Sequence, residues 1–243
     1  MQRDEKRKSD EAASSSSVDS AKRQQTASLV LCASGVYNDD LTALEVACAK
    51  LGASLVSEFS DSVTHLVMQK IAWTPKLLSA LAGLVPVVSI RWVQKAADAP
   101  SGPLPDPADP DLRPKASGSA DGVALVRPER AVLFKRRKFI GLPGAPEDTL
   151  ALVRKMGAEV QAWPAEPPQS EEAYFREQVA AGFGFVLPGD EKWPTTSEAK
   201  AAIAAGAEVI SPLLVRTSLI MAKMTSTRHL QASAATVVTS GET

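Results

Sequence analysis

Val63-Thr64-His65-Leu66-Val67-Met68 and, after a short break, Thr74-Pro75-Lys76-Leu77-Leu78-Ser79-Ala80-Leu81 decide how this chain is read. His65 to Met68 is a short apolar run, the pattern of a strand buried in a parallel sheet. Thr74 to Leu84 suits a helix with Pro75 in its first turn, where a missing N–H costs little. The segment then recurs at an offset of 122 residues, with Thr74-Pro75-Lys76 over Thr196-Ser197-Glu198. Without a gap, Leu81 falls on Ile203, Val87 on Val209, Val88 on Ile210 and Ser89 on Ser211. Upstream, Ala49-Lys50-Leu51-Gly52-Ala53 resembles Arg154-Lys155-Met156-Gly157-Ala158. Such self-similarity predicts two packed units in tandem. The units differ where chemistry could sit: Lys76 becomes Glu198, and Ser34-Gly35 becomes Pro143-Gly144.

Outward from that segment, Leu29-Val30-Leu31-Cys32 reads as a buried strand. Leu41, Leu44, Cys48 and Leu51 recur at helical spacing, and Gly52 is a C-terminal stop. Leu55-Val56 and Val87-Val88 are further strands, and Arg91 to Ala97 is a final helix carrying Trp92. The order β-α-β-β-α-β-α predicts an α/β unit, a small parallel sheet with helices on its faces. Residues 99–130, rich in Pro, Gly, Asp and Ser, read as a semi-extended linker between units at 28–98 and 131–225. In the second unit Lys138 to Leu142, Val160 to Trp163, Phe183 to Leu187 and Glu208 to Ser211 read as strands. Pro146 to Met156, Thr196 to Ala205 and Pro212 to Met224 read as helices. Pro164 to Ala181 reads as a polar insertion, with Glu171-Glu172 in a loop. The first tail, 1–27, is too polar to offset ordering entropy and reads as disordered, and 226–243 reads as a polar, frayed tail.

The formal net charge of the 243 residues is −1, so no global field draws the protein to nucleic acid or anionic lipid. No apolar run approaches the roughly 20 residues that span a bilayer, so no membrane partner is expected. Cys32 and Cys48 lack Cys-x-x-Cys spacing and lie in apolar segments, which reads as buried reduced thiols. His65 and His229 have no ligand-spaced partners, so no metal is expected; His65 reads as a hydrogen-bonded core histidine. Trp163 and Trp193 read as packing residues. No Gly-rich phosphate cradle, nucleophile elbow or His-Glu-x-x-His pattern occurs, so neither an enzyme nor a cofactor is expected.

Ser34-Gly35 ending a strand, Val63 to Met68, Thr74-Pro75-Lys76 and Trp92 late in the unit together resemble the BRCT domain. The second unit resembles it through element order and alignment to the first. Tandem BRCT repeats imply a nuclear adaptor of the DNA-damage response with a phosphorylated protein as partner. The likeness leans towards a subunit of a double-strand-break repair nuclease complex, without the forkhead-associated domain and long C-terminal tail that such a subunit carries. The resemblance also implies that Ser34, Gly35 and Lys76 hold the phosphate, with Thr74 supporting the loop.

That assignment has a physical basis. A phosphoserine brings about −1.5 to −2 charges and three strong acceptors. Ser34 supplies a hydroxyl, Gly35 allows close backbone approach, and Lys76 adds charge beside a positive helix end. In the second unit Pro143 offers no hydroxyl and Glu198 repels phosphate, so binding is expected in the first repeat only. Trp73, where such readers often carry an arginine, reads either as an aromatic of the inter-repeat groove or as a packing residue. Lys135-Arg136-Arg137-Lys138 is the densest basic run; it reads as a solvated strand end, with DNA contact or nuclear import as alternatives. Lys6-Arg7-Lys8 with Lys22-Arg23 resembles a divided import signal. A phosphate-independent scaffold working through apolar faces is the alternative function.

Overall fold

The computed structural model describes residues 28–116, 122–189 and 196–224. The tails, the import-like basic pairs, Trp193 and His229 lie outside the described residues. The first repeat runs β1 (Val30–Ala33), α1 (Asp39–Leu51), β2 (Ser54–Val56), β3 (His65–Val67), α2 (Pro75–Ala82), β4 (Val87–Val88) and α3 (Ile90–Asp98). The second runs β5 (Lys138–Gly141), α4 (Glu147–Lys155), β6 (Glu159–Ala162), α5 (Glu171–Ala180), β7 (Phe185–Leu187), α6 (Ser197–Ala204), β8 (Glu208–Val209) and α7 (Pro212–Met221). Each repeat holds one four-stranded sheet, ordered β2-β1-β3-β4 and β6-β5-β7-β8, with every pairing parallel. The protein is thus an α/β chain of two parallel-sheet units in tandem.

The local chemistry repeats as well. Thr74 caps α2 by accepting from the Leu77 N–H at 3.2 Å, and Thr196 caps α6 by accepting from the Ala199 N–H at 3.3 Å. Such a cap satisfies one of the orphan donors at a helix start. Helix α1 ends on Gly52, whose φ of 70° lies in the left-handed region that lacks a steric penalty only for glycine.

Three apolar clusters hold the molecule. Leu31, Leu44, Cys48, Val88 and Trp92 fill one face of the first sheet, between it and helices α1 and α3. Ile140, Phe175, Val186, Ala199 and Ala202 fill the outer face of the second. The largest cluster crosses the junction: Leu77, Leu78 and Leu81 of α2 join one set with Leu152 and Val153 of α4 and Val215 and Leu219 of α7. The same element therefore has opposite fates. Helix α2 is packed into the junction, whereas its counterpart α6 packs against α5 on the far side of its sheet.

Two elements differ from the sequence expectation. The insertion after β6 carries helix α5, so Glu171 and Glu172 stand in a helical first turn rather than a polar loop. Ser170 caps that helix, and Tyr174 and Phe175 close on Trp163 in a three-ring cluster. The stretch between the repeats is docked rather than merely extended. The Trp92 indole donates to Pro105 O at 2.9 Å, the Ser89 hydroxyl donates to Leu112 O at 2.9 Å, and Leu112 is buried. Arg130 is 1% exposed and donates to the carbonyls of Val123, Leu125 and Leu219 at 3.1, 2.7 and 3.0 Å. Burial, with a smaller push from Arg127, lowers its pKa to about 10.

Candidate phosphate-binding site

Three elements converge at the carboxyl edge of the first sheet. Strand β1 delivers Ser34, the β2 end delivers Ser57, and the start of α2 delivers Thr74 and Lys76. The Ser34 N–H closes the sheet onto Val67 O at 3.0 Å, and Gly35 lies one residue beyond that last ladder bond. Gly35 takes a φ of 65°, and a Cβ built there would meet nothing within 4 Å. Its backbone is thus open to a ligand from the side a side chain would occupy.

The hydroxyls of Ser34 and Thr74 are hydrogen-bonded at 3.0 Å. Thr74 Oγ1 already accepts the Leu77 N–H, so its own proton is available to Ser34 Oγ, which frees the Ser34 hydroxyl to donate outward. The Lys76 ammonium donates to Ala33 O at 3.2 Å and to Ser57 O at 2.5 Å, leaving its third N–H unspent. Both carbonyls belong to residues flanking the seat, so the cation stands at the same end of the sheet as the Ser34 hydroxyl. Ser34, Gly35, Thr74 and Lys76 line one open groove of about 760 Å³, together with Tyr37, Leu41, Leu55, Val56 and the carboxylate-bearing Glu45 and Glu58. Beneath it, burial holds the Cys32 thiol protonated, above its usual pKa, against the opposing pull of Lys76.

The corresponding place in the second repeat is a smaller hollow of about 270 Å³ lined by Pro143, Gly144, Gly189, Thr196 and Glu198. Gly144 keeps the left-handed turn, with φ 76°, and Thr196 keeps the cap. By strand register Leu142, rather than the expected Pro143, stands at the place of Ser34: its N–H donates to Leu187 O at 2.9 Å as the Ser34 N–H does to Val67 O. The hydroxyl and the cation are thus replaced by Leu142 and Glu198.

Trp73 immediately precedes the cap residue and is 52% exposed, so it is a surface aromatic outside the core clusters. The basic run is divided. Lys135 and Arg136 are exposed, Arg136 in a left-handed turn with φ 66°. The Arg137 guanidinium lies over the Phe185 ring at 4.9 Å, and the Lys138 ammonium lies over Phe183 at 5.0 Å and pairs with Glu159 at 3.2 Å. His65 stacks on Trp92 at 4.6 Å, and its Nδ1 lies 3.1 Å from the Thr64 hydroxyl; burial lowers its pKa to about 4, leaving a neutral core ring. Cys32 and Cys48 are buried free thiols. Among the described residues no group of three or more His, Cys, Asp or Glu is placed to hold a metal ion, and no helix is long and apolar enough to cross a membrane. Sequence reading missed Tyr37, a 72% exposed aromatic on the rim two residues after Gly35; its proximity to Ser34 was the available signal.

Comparison with known proteins agrees with this architecture. The BRCA1 C Terminus (BRCT) domain family matches residues 28–95. Nibrin of Danio rerio is 28% identical over 176 residues, covering 68% of this chain and 22% of its own length. Nibrin of Gallus gallus is 29% identical over 124 residues, covering 49% of this chain and 16% of its own. The chain thus spans about a fifth of the length of these curated relatives. Among solved structures, the S. pombe Brc1 BRCT5-BRCT6 domains superpose with a TM-score of 0.51 at 12% identity, covering 80% of this chain and 93% of that one. Rtt107p in complex with a phosphorylated histone superposes with a TM-score of 0.50 at 10% identity, covering 82% and 89%. The first repeat thus matches the BRCT family, both repeats share the fold of tandem BRCT structures, and the chain is similar in sequence to nibrin.

Proposed function

We propose that this protein is a nuclear, non-catalytic adaptor of the DNA-damage response that captures a phosphorylated serine or threonine of a partner protein in its first repeat. Ser34 and Lys76 supply the hydroxyl and the cation, Gly35 the open backbone, and Thr74 orients the Ser34 hydroxyl. The observation that carries this reading is the hydrogen-bonded pair Ser34–Thr74 beside an ammonium held by Ala33 O and Ser57 O, all on one groove. The ammonium is held by two carbonyls, which supports the reading because a side chain already ordered loses little entropy on binding. Charge-assisted bonds of this kind contribute about 1.5–3 kcal/mol each. The similarity to nibrin supports a place in a double-strand-break repair nuclease complex. The solved complex of Rtt107p with a phosphorylated histone gives a precedent for the ligand class on this fold.

The test is a pull-down from a degenerate phosphopeptide library, with phosphorylated and unmodified pools compared for the wild type, Lys76→Met and Lys76→Glu. Retention of the phosphorylated pool by the wild type alone is expected. Equal retention of both pools by the wild type would sink the proposal. The exposed Trp73 favours one competing reading, a phosphate-independent scaffold, under which phosphatase treatment leaves partner capture unchanged. DNA contact through Lys135 to Lys138 is less well supported, because Arg137 and Lys138 are engaged with rings and with Glu159.

A further inference from the structure

A second groove, of about 410 Å³, lies over the carboxyl ends of β3 and β4 and is closed on its far side by the docked stretch between the repeats. Among the described residues its cations are Arg91, Arg113 and Lys115, and its one carboxylate is Asp111. Among the described residues, none of the three cations makes an ion pair or a side-chain hydrogen bond. The Arg113 Nε is buried and has no acceptor. A buried charged donor left unpartnered is costly, and its natural complement is an anion. The start of α3 adds to the same field. Ser89 lines the groove but spends its hydroxyl on Leu112 O, so α3 has no side-chain cap, whereas the counterpart Ser211 caps α7 through Leu214 N. The second repeat has no equivalent cation, because Leu213 stands at the offset position of Arg91 and is 72% exposed.

The two grooves share one edge of one sheet. Ser34 follows β1, Gln69 follows β3 and Ser89 follows β4, in the strand order β2-β1-β3-β4. Neighbouring strands lie about 4.8 Å apart, so the ends of β1 and β4 are separated by about 10 Å. An extended peptide covers about 3.3 Å per residue, so roughly three residues bridge that gap and side-chain reach adds one or two.

We infer that the Arg91–Arg113–Lys115 groove is a second anion-accepting subsite, which takes Asp or Glu side chains lying three to five residues from the phosphorylated residue of the same bound segment. This rests on the phosphopeptide reading of Ser34 and Lys76 and adds to it a preference for acidic flanking sequence. The groove then raises affinity by about three- to tenfold at low salt, an advantage that shrinks as ionic strength rises.

The test sequences the peptides retained from a phosphoserine library degenerate on both sides of the phosphate. The wild type is expected to enrich Asp and Glu three to five positions away on one side. Arg91→Ala/Lys115→Ala, both at exposed positions, is expected to keep phosphate dependence and lose that enrichment. Arg91→Glu/Lys115→Glu is expected to turn it into a preference for Lys and Arg, a reversal that misfolding cannot produce. Phosphate-dependent retention without acidic enrichment would overturn the subsite and leave the proposed function standing. Acidic enrichment that survives in both double variants would overturn it too, as would wild-type retention of a DNA duplex, lost in Arg91→Ala/Lys115→Ala, with no acidic preference in the library. Absence of any phosphate dependence would overturn both readings together.

Discussion

Helices α2 and α6 each begin on a threonine cap and face a left-handed glycine, yet they stand in different places. The first turn of α2 opens onto a groove beside the junction, with the helix body buried against α4 and α7. The first turn of α6 opens onto a smaller hollow on the outer side of its repeat. Cap and glycine serve the fold: one satisfies a helix start, the other turns the chain off a strand. The positions at which the repeats part are Ser34 against Leu142, matched by strand register, and Lys76 against Glu198. The retained geometry serves the fold, and the differing side chains are the ones the proposed function uses.

The strongest way to break the comparison is to make the first repeat like the second. Lys76→Glu is expected to remove phosphopeptide binding below detection, and Lys76→Met to weaken it about ten- to hundredfold, as isothermal titration would show. The carboxylate of the Glu variant would face Ala33 O and Ser57 O, so a thermal melt should place it below the Met variant in stability.

Next in size is the junction. Arg130→Met keeps the bulk and removes the donors that serve the carbonyls of Val123, Leu125, Leu219 and, more distantly, Ile220. A loss of about 3 kcal/mol is expected in a urea titration, since buried acceptors are left unpaired. An unchanged midpoint would remove Arg130 from the account of how the repeats are joined.

A pH difference between the repeats comes third. His65 has a folded pKa of about 4 against an ordinary value of 6.5, while Phe185 holds the corresponding place on β7. The folded ring stays neutral while the unfolded one takes a proton. Stability is therefore complete above about pH 6.5 and falls as the pH drops from there to about 4, by about 2–3 kcal/mol in all. His65→Phe should flatten that part of the profile.

The smallest expected effect is a gain. Leu142→Ser with Glu198→Lys, placed in the Lys76→Glu background, restores a hydroxyl and a cation at the register positions of Ser34 and Lys76, where Thr196 is already set. Weak phosphate-dependent retention, a few-fold above the unmodified pool, is expected. None at all would mean that place beside the junction matters as much as the residues themselves.

Much of this was legible in the sequence. The central strands β1, β3, β5 and β7 carry short apolar runs, and the 122-residue offset placed α6 and α7 from α2 and α3. Helix α5 was not legible, because one buried residue, Phe175, anchors it and prolines precede it. Its start was readable in Ser170 followed by Glu171-Glu172. The docking of the inter-repeat stretch left no periodic trace, since it depends on carbonyls that accept from Ser89, Trp92 and Arg130. In the candidate site, Ser34, Gly35, Thr74 and Lys76 were readable through family resemblance, and the structure brings them to one groove. Arg91, Arg113 and Lys115 were not, because parallel strand ends unite residues that no local spacing connects.

The apolar seam shared by α2, α4 and α7 has a consequence for inherited variation. Helix α2 bears Lys76 at one end and leans on Val153 and Leu219 along its length. A lesion that hollows out either of those two distant side chains is expected to shift the helix and, under the proposed function, to impair ligand capture from the other repeat.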